Sequence, residues 1–155
     1  MKKIIFSISA LVVLFAASCG SDGTNGGAID ISGKTKQEVF MMHAWDLSSW
    51  NDSSSQDNYD NIEACMKDDF YSFISTSQVE INRASLKCDV TEKPTEKFAW
   101  SMASADAAQV TVFNYTWDIS SLTGEQIVLR RKYLYNFGGT TEYIYSKVVL
   151  KKQAF

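Results

Sequence analysis

Eight short runs in which apolar and polar residues alternate fill most of the chain beyond residue 43, and no long amphipathic helix separates them. They cover 44–50, 70–74, 78–82, 97–102, 109–113, 116–122, 126–135 and 141–152. Successive side chains of a strand point to opposite faces, so each run reads as a strand with one face toward a core. Trp45 and Leu47 share a face, as do Tyr71 and Phe73, Val79 and Ile81, Val110 and Val112, and Trp117 and Ile119. Phe98, Trp100 and Met102 form another such face. In the seventh run Ile127, Leu129, Arg131, Tyr133 and Tyr135 have one parity; in the eighth, Tyr143, Tyr145 and Val149 oppose Ile144, Val148 and Leu150. The connections Ser75-Thr76-Ser77, Thr123-Gly124-Glu125 and Phe137-Gly138-Gly139 are too short for the crossovers of a parallel sheet. Strands adjacent in sequence are therefore expected to pair, and closing the meander removes its edges. The expected class is all-β: an antiparallel up-and-down eight-stranded barrel with short helical segments at 34–42 and 59–67. Asn58 or Asp60 is the expected cap of the second.

The N-terminus follows a different grammar. Met1-Lys2-Lys3 precedes an apolar stretch, 4–17, broken only by Ser7 and Ser9. At about 14 residues it is short for a transmembrane helix, which needs about 20. Ala16-Ala17-Ser18-Cys19 follows, the charge, apolar run and small residues of a signal peptide. The cysteine at the cut resembles a bacterial lipobox, in which a diacylglycerol thioether forms on that residue and anchors the mature protein. Ala16 stands where leucine is usual, and an ordinary signal peptidase could accept Ala16-x-Ser18, so simple cleavage is the alternative. The expected organisation is a signal peptide at 1–18, a lipid-anchored flexible linker at 19–36, rich in glycine, and a barrel domain at 37–155. The expected location is the cell envelope, the outer membrane more readily than the inner.

The chain carries 15 basic and 18 acidic residues, net −3, and loss of Lys2 and Lys3 with the leader makes it more acidic. No basic patch for nucleic acid is expected. With Cys19 assigned to lipid, Cys65 and Cys88 remain. In an oxidising compartment such a pair either joins or stays as two separate buried thiols, and the count favours joining. A structural zinc site wants four ligands in closely spaced pairs, and one histidine with no Cys-x-x-Cys does not supply them.

Trp45-Asp46-Leu47-Ser48-Ser49 opens the first strand; Cys65-Met66-Lys67-Asp68-Asp69-Phe70-Tyr71-Ser72-Phe73 leads through the second. Cys88, Trp100 and the segment 119–129 follow, so that 37–151 resembles the lipocalin-like domain of bacterial lipoproteins. The sharpest element is Cys-x-Lys-Asp-Asp-x-Tyr-x-Phe with a second cysteine some twenty residues on. The resemblance implies a lipocalin-like barrel and a bridge between Cys65 and Cys88; it implies no activity. The family often has an Asp-Gly turn in the early hairpin, where this chain has Ser75-Thr76-Ser77.

No catalytic constellation or cofactor site is expected. His43 is the only histidine, placed just before a strand, and reads as structural or solvent-facing. Asp68-Asp69 reads as turn or cap residues, since neighbours on a strand diverge. Gly138-Gly139 reads as a hairpin turn rather than a phosphate loop. Alternation splits Arg130-Arg131-Lys132 and gives Arg131 the parity of Leu129 and Tyr133, so that it either points into the barrel toward a ligand or stands at the rim paired with a neighbour. Trp45, Phe73, Trp100, Trp117, Arg131, Tyr133 and Tyr143 are the candidate ligand-binding residues. An eight-stranded barrel is either filled by its own side chains or holds one small ligand. The leading expectation is a membrane-anchored, non-enzymatic barrel binding a small apolar or amphipathic ligand. The alternative is a structural or protein-interaction lipoprotein with a side-chain-filled barrel, using a surface residue such as Trp50.

Overall fold

A computed structural model describes residues 29–52 and 59–154. The expected signal peptide, Cys19 and the first part of the expected linker lie outside the described residues, as does Asn58. The strands are β1 (Ala44–Asn51), β2 (Phe70–Phe73), β3 (Gln78–Asn82), β4 (Thr95–Ser101), β5 (Gln109–Val112), β6 (Tyr115–Leu122), β7 (Gln126–Phe137) and β8 (Thr140–Lys152). Each pairs antiparallel with the next, and β8 pairs back onto β1 to close an up-and-down barrel. Two short helices, α1 (Lys36–Phe40) and α2 (Ala64–Lys67), and a 3-10 turn at Tyr59–Asn61 complete the elements. No helix among the described residues is long and apolar enough to cross a membrane.

Helix α1 closes one end of the barrel. Thr35 and Glu38 form a reciprocal capping box at its start. Lys36 opens the helix, within the helical segment expected at 34–42. The Lys36 backbone N–H donates to Asp106 and that of Gln37 to the Ala105 carbonyl, so α1 is tied to the β4–β5 loop. The preceding segment is docked as well. Ile29 lies so close to Gly124, in the β6–β7 turn, that a Cβ there would meet its side chain at 2.4 Å. The helix drives Phe40 into the barrel, where the ring is edge-on to Phe73 at 5.0 Å and stacked on Trp100 at 5.6 Å. Phe73 and Trp100 meet edge-on at 4.7 Å. Such contacts contribute about 0.5–1.5 kcal/mol per pair beyond area burial. The buried indoles are satisfied: Trp45 donates to the Phe40 carbonyl at 2.8 Å and Trp100 to the Ser75 carbonyl at 2.7 Å.

At the other end the β1–β2 and β3–β4 connections are clamped together. Cys65 and Cys88 form a disulfide with Cα atoms 5.2 Å apart. Asp68 is the C-cap residue of α2, in keeping with the turn-or-cap reading, and both neighbouring aspartates also act across long range. Asp68 accepts from the backbone N–H groups of Ser85 at 3.0 Å and Leu86 at 2.8 Å. Asp69 is buried and ion-paired with Arg83, which also reaches Glu96 at 3.5 Å. Burial pushes the Asp69 carboxyl up, and the bond to Arg83 pulls it the other way.

Two bulges interrupt the alternation. In β1 the register to β8 shifts between Leu47 and Ser49; in β6 the register to β7 shifts between Ile119 and Ser121. Each inserts one extra residue, so the parity of side chains reverses across it. The β5–β6 hairpin turns on Phe113 and Asn114, both at positive φ (52° and 64°). This is the backbone a two-residue primed turn requires, and it costs a bulky residue about 1–3 kcal/mol. Alternation alone places Phe113 at the end of the strand.

The disulfide closes the loop that carries α2, β2 and β3. Replacing Cys65 and Cys88 by serine should lower the unfolding free energy in urea by about 3 kcal/mol. An unchanged midpoint would show that the clamp is carried by Asp68, Asp69 and Arg83 alone.

Candidate functional site

The two halves of the barrel interior differ. Around α1 the space is filled by Phe40, Trp45, Trp100, Val79, Val110 and Ile127, all at most 2% exposed. Toward the opposite end an apolar cavity of about 170 Å³ remains. Its wall takes Leu47 and Trp50 from β1, Tyr71 and Phe73 from β2, and Val112 from β5. Phe113 joins from the hairpin turn, Trp117 from β6, Leu129 from β7, and Val148 and Leu150 from β8. Every one of these side chains is apolar or aromatic. Other depressions are wider and shallower, such as the one bordered by Asp52, Arg130 and Lys147.

Trp50 was expected on the outer face. The bulge before Ser49 reverses it: Trp50 sits opposite Val148, lines the cavity, and donates its indole N–H to the Ser146 hydroxyl at 3.2 Å. The ring remains 38% exposed, so it forms part of the rim. Phe113 forms another part, edge-on to Phe98 at 5.3 Å and to Tyr71 at 5.9 Å. Burial raises the Tyr71 hydroxyl pKa above its ordinary value, the nearby Asp69 adds to the effect, and Arg83 opposes it.

Of the residues expected to touch a ligand, Phe73 and Trp117 line this cavity. Trp45 and Trp100 do not; they are sealed in the filled half, 0% and 2% exposed. Tyr143 is on the outer face, 57% exposed, opposite the equally exposed Leu134 and under the Lys132 ammonium at 3.8 Å. The reason is parity. Ile144, Ser146, Val148 and Leu150 pair with Tyr133, Arg131, Leu129 and Ile127, and that set faces inward.

Arg131 and Tyr133 share the inward parity of Leu129 on β7 but do not line the cavity. The Arg131 guanidinium carbon lies 3.9 Å from the Tyr115 ring centroid, 4.6 Å from Tyr133 and 5.2 Å from Trp117. Trp117 thus belongs to both the cavity wall and this aromatic cradle. Among the described residues no carboxylate pairs with Arg131, and its buried Nε has no hydrogen-bond partner.

His43 lies at the closed end, edge-on to Trp45 at 5.9 Å and away from the cavity. Burial lowers its pKa, Lys152 acts in the same sense, and Glu125 opposes them. Among the described residues, Glu63, Cys65 and Cys88 form a group with metal-ligand chemistry. The two sulfurs are bonded to each other, so neither is a free thiolate ligand.

Sequence reasoning missed Trp50, Phe113 and Tyr115 as site residues. A signal for the first was present. Leu47-Ser48-Ser49-Trp50 and Ile119-Ser120-Ser121-Leu122 both space apolar residues three apart within a strand, and both coincide with a bulge. No protein-family model matches the chain, and no curated protein matches it in sequence.

Proposed function

We propose that this chain is an envelope lipoprotein, anchored through Cys19, whose barrel belongs with the lipocalin-like domains of bacterial lipoproteins and binds a small apolar group in its open half. The apolar cavity of about 170 Å³ carries this reading. It compares with the ~150 Å³ engineered apolar cavity that stays dry and takes up benzene. It is smaller than the ~300–1,000 Å³ of drug-sized sites. The occupant is therefore one ring or a short alkyl segment, with the rest of a larger ligand outside the rim. The filled closed end supports a stable scaffold rather than a channel, and the reading assigns the protein no reaction.

The docked segment from Ile29 to α1 lies at the closed end, so a tether starting at Cys19 reaches the barrel from that side. In this arrangement the cavity rim is at the end of the barrel away from the tether.

Two measurements test the proposal. Cells fed labelled fatty acid should label the wild-type protein and not Cys19→Ala; equal labelling would remove the anchor. Octanol, a neutral probe, should quench or shift tryptophan emission saturably in the wild type. Val148→Phe, which fills the cavity, should abolish that saturation while the unfolding free energy in urea stays within about 1.5 kcal/mol of wild type. A linear, unsaturable response in the wild type would favour the rival reading of a filled barrel acting through its surface.

A further inference from the structure

Strands β7 and β8 outrun the barrel. The last pair of β6 with β7 is Asp118 with Arg130, and the last of β1 with β8 is Asn51 with Lys147. Beyond these, among the described residues, 131–137 and 140–146 pair only with each other and form a two-stranded ribbon. The ribbon gathers exposed apolar side chains: Leu134, Tyr135, Tyr143 and Tyr145. On one face Leu134 lies opposite Tyr143 and Lys132 opposite Tyr145. On the other, Tyr133 lies opposite Ile144 and Tyr135 opposite Glu142. The β8 edge of the ribbon is flanked by β1, whose Trp50 donates to Ser146. The β7 edge from Lys132 outward has no strand beside it among the described residues. Such an edge presents a row of backbone N–H and C=O groups, a template on which another strand can pair.

We infer that this edge is a self-association site, where two copies of the chain pair antiparallel through β7 about a two-fold axis at Leu134. That register sets Leu134 against its own copy, Tyr133 against Tyr135 and Lys132 against Asn136. The four-stranded ribbon then carries an unbroken apolar row on one face, made of Tyr143 and Leu134 from each copy. The other face gains cross-strand pairs of Tyr133 with Tyr135, the kind of pair that stabilises a sheet. No like charges meet. The two Lys132 Cα atoms are four residues apart along the strands, about 13 Å at the usual rise. That exceeds the screening length of ~8–10 Å at ordinary ionic strength. Moving the axis by one residue in either direction sets Leu134 against Lys132 or against Asn136, so the apolar match selects Leu134 as the centre. An isologous contact of this kind closes at two copies. A lipid surface suits the ribbon less well, because polar Asn136, Thr140, Thr141 and Glu142 surround its tip at Gly138-Gly139. The inference is independent of the cavity.

Cysteine cross-linking of the full chain in cell-envelope membranes tests the pairing. Directly opposed residues of antiparallel strands have Cα atoms about 4.5–5.5 Å apart, within the span of a disulfide. Under a mild oxidant Leu134→Cys should therefore give a covalent dimer. Lys132→Cys alone and Asn136→Cys alone should each give at least tenfold less, while the two variants produced in the same cells should link to each other. Cys65 and Cys88 are already joined, and wild type run alongside accounts for any product of Cys19. All three substituted positions are exposed, so the urea midpoints should match wild type. Equal yields from Cys at 132, 134 and 136 would mark random collision and overturn the inference. Absence of a Leu134→Cys product would also overturn it, and binding of the Cys19→Ala chain to vesicles of anionic phospholipid would then give the ribbon to a lipid surface.

Discussion

Pairing of β1 with β8 is the constraint on which the rest depends. Without the register that sets Trp45 against Lys152 and Asn51 against Lys147, the meander would end in two open edges. Closure satisfies those backbone groups and defines an inside. A ring of eight strands encloses a space about as wide as its own side chains can fill. The residues that alternation turns inward therefore decide between a solid core and a hollow one.

This chain does both, at opposite ends. At one end α1 packs Phe40 against both Phe73 and Trp100, and the interior is sealed by large rings with satisfied indole donors. At the other end large rings line the space without filling it, and the bulge in β1 redirects the chain. Trp50 is brought to the rim instead of outside, while toward the α1 end the bulge in β6 keeps Leu122 on the same side as Trp117 and Ile119. The disulfide and the Asp69–Arg83 pair clamp the connections on this side, so the walls around Tyr71 are fixed although the interior there is not filled. Rigid walls around an unfilled apolar space are what distinguishes a binding cavity from a packing defect that could collapse.

The eight strands and their pairing order were legible because alternation and short connections leave few other arrangements. The joining of Cys65 and Cys88 was likewise legible from the count and from the resemblance, and the structure bears it out. Less legible was which inward residues fill the barrel and which line a space. Trp45 and Trp100 have the same parity logic as Trp117, yet α1 packs only against the former end. That depends on where a helix from the N-terminal segment docks, a contact far apart in sequence. Tyr143 failed for a different reason: a long strand with aromatics on both parities does not say which face is inner until its partner is known. Trp50 was misread because a bulge reverses parity, although the Ser-Ser pair with apolar residues three apart was visible. Asp69 shows the same limit, since nothing local announces that Arg83 will bury against it.

The central claim is that the interior is filled at the α1 end and hollow at the other. Xenon binds apolar cavities of this size without needing a polar group. Methyl-resolved spectra of the protein under xenon pressure should show saturable shifts at Leu47, Leu129, Val148 and Leu150, with Val79 and Val110 unmoved. Shifts spread evenly over both sets, or absent from both, would contradict the account.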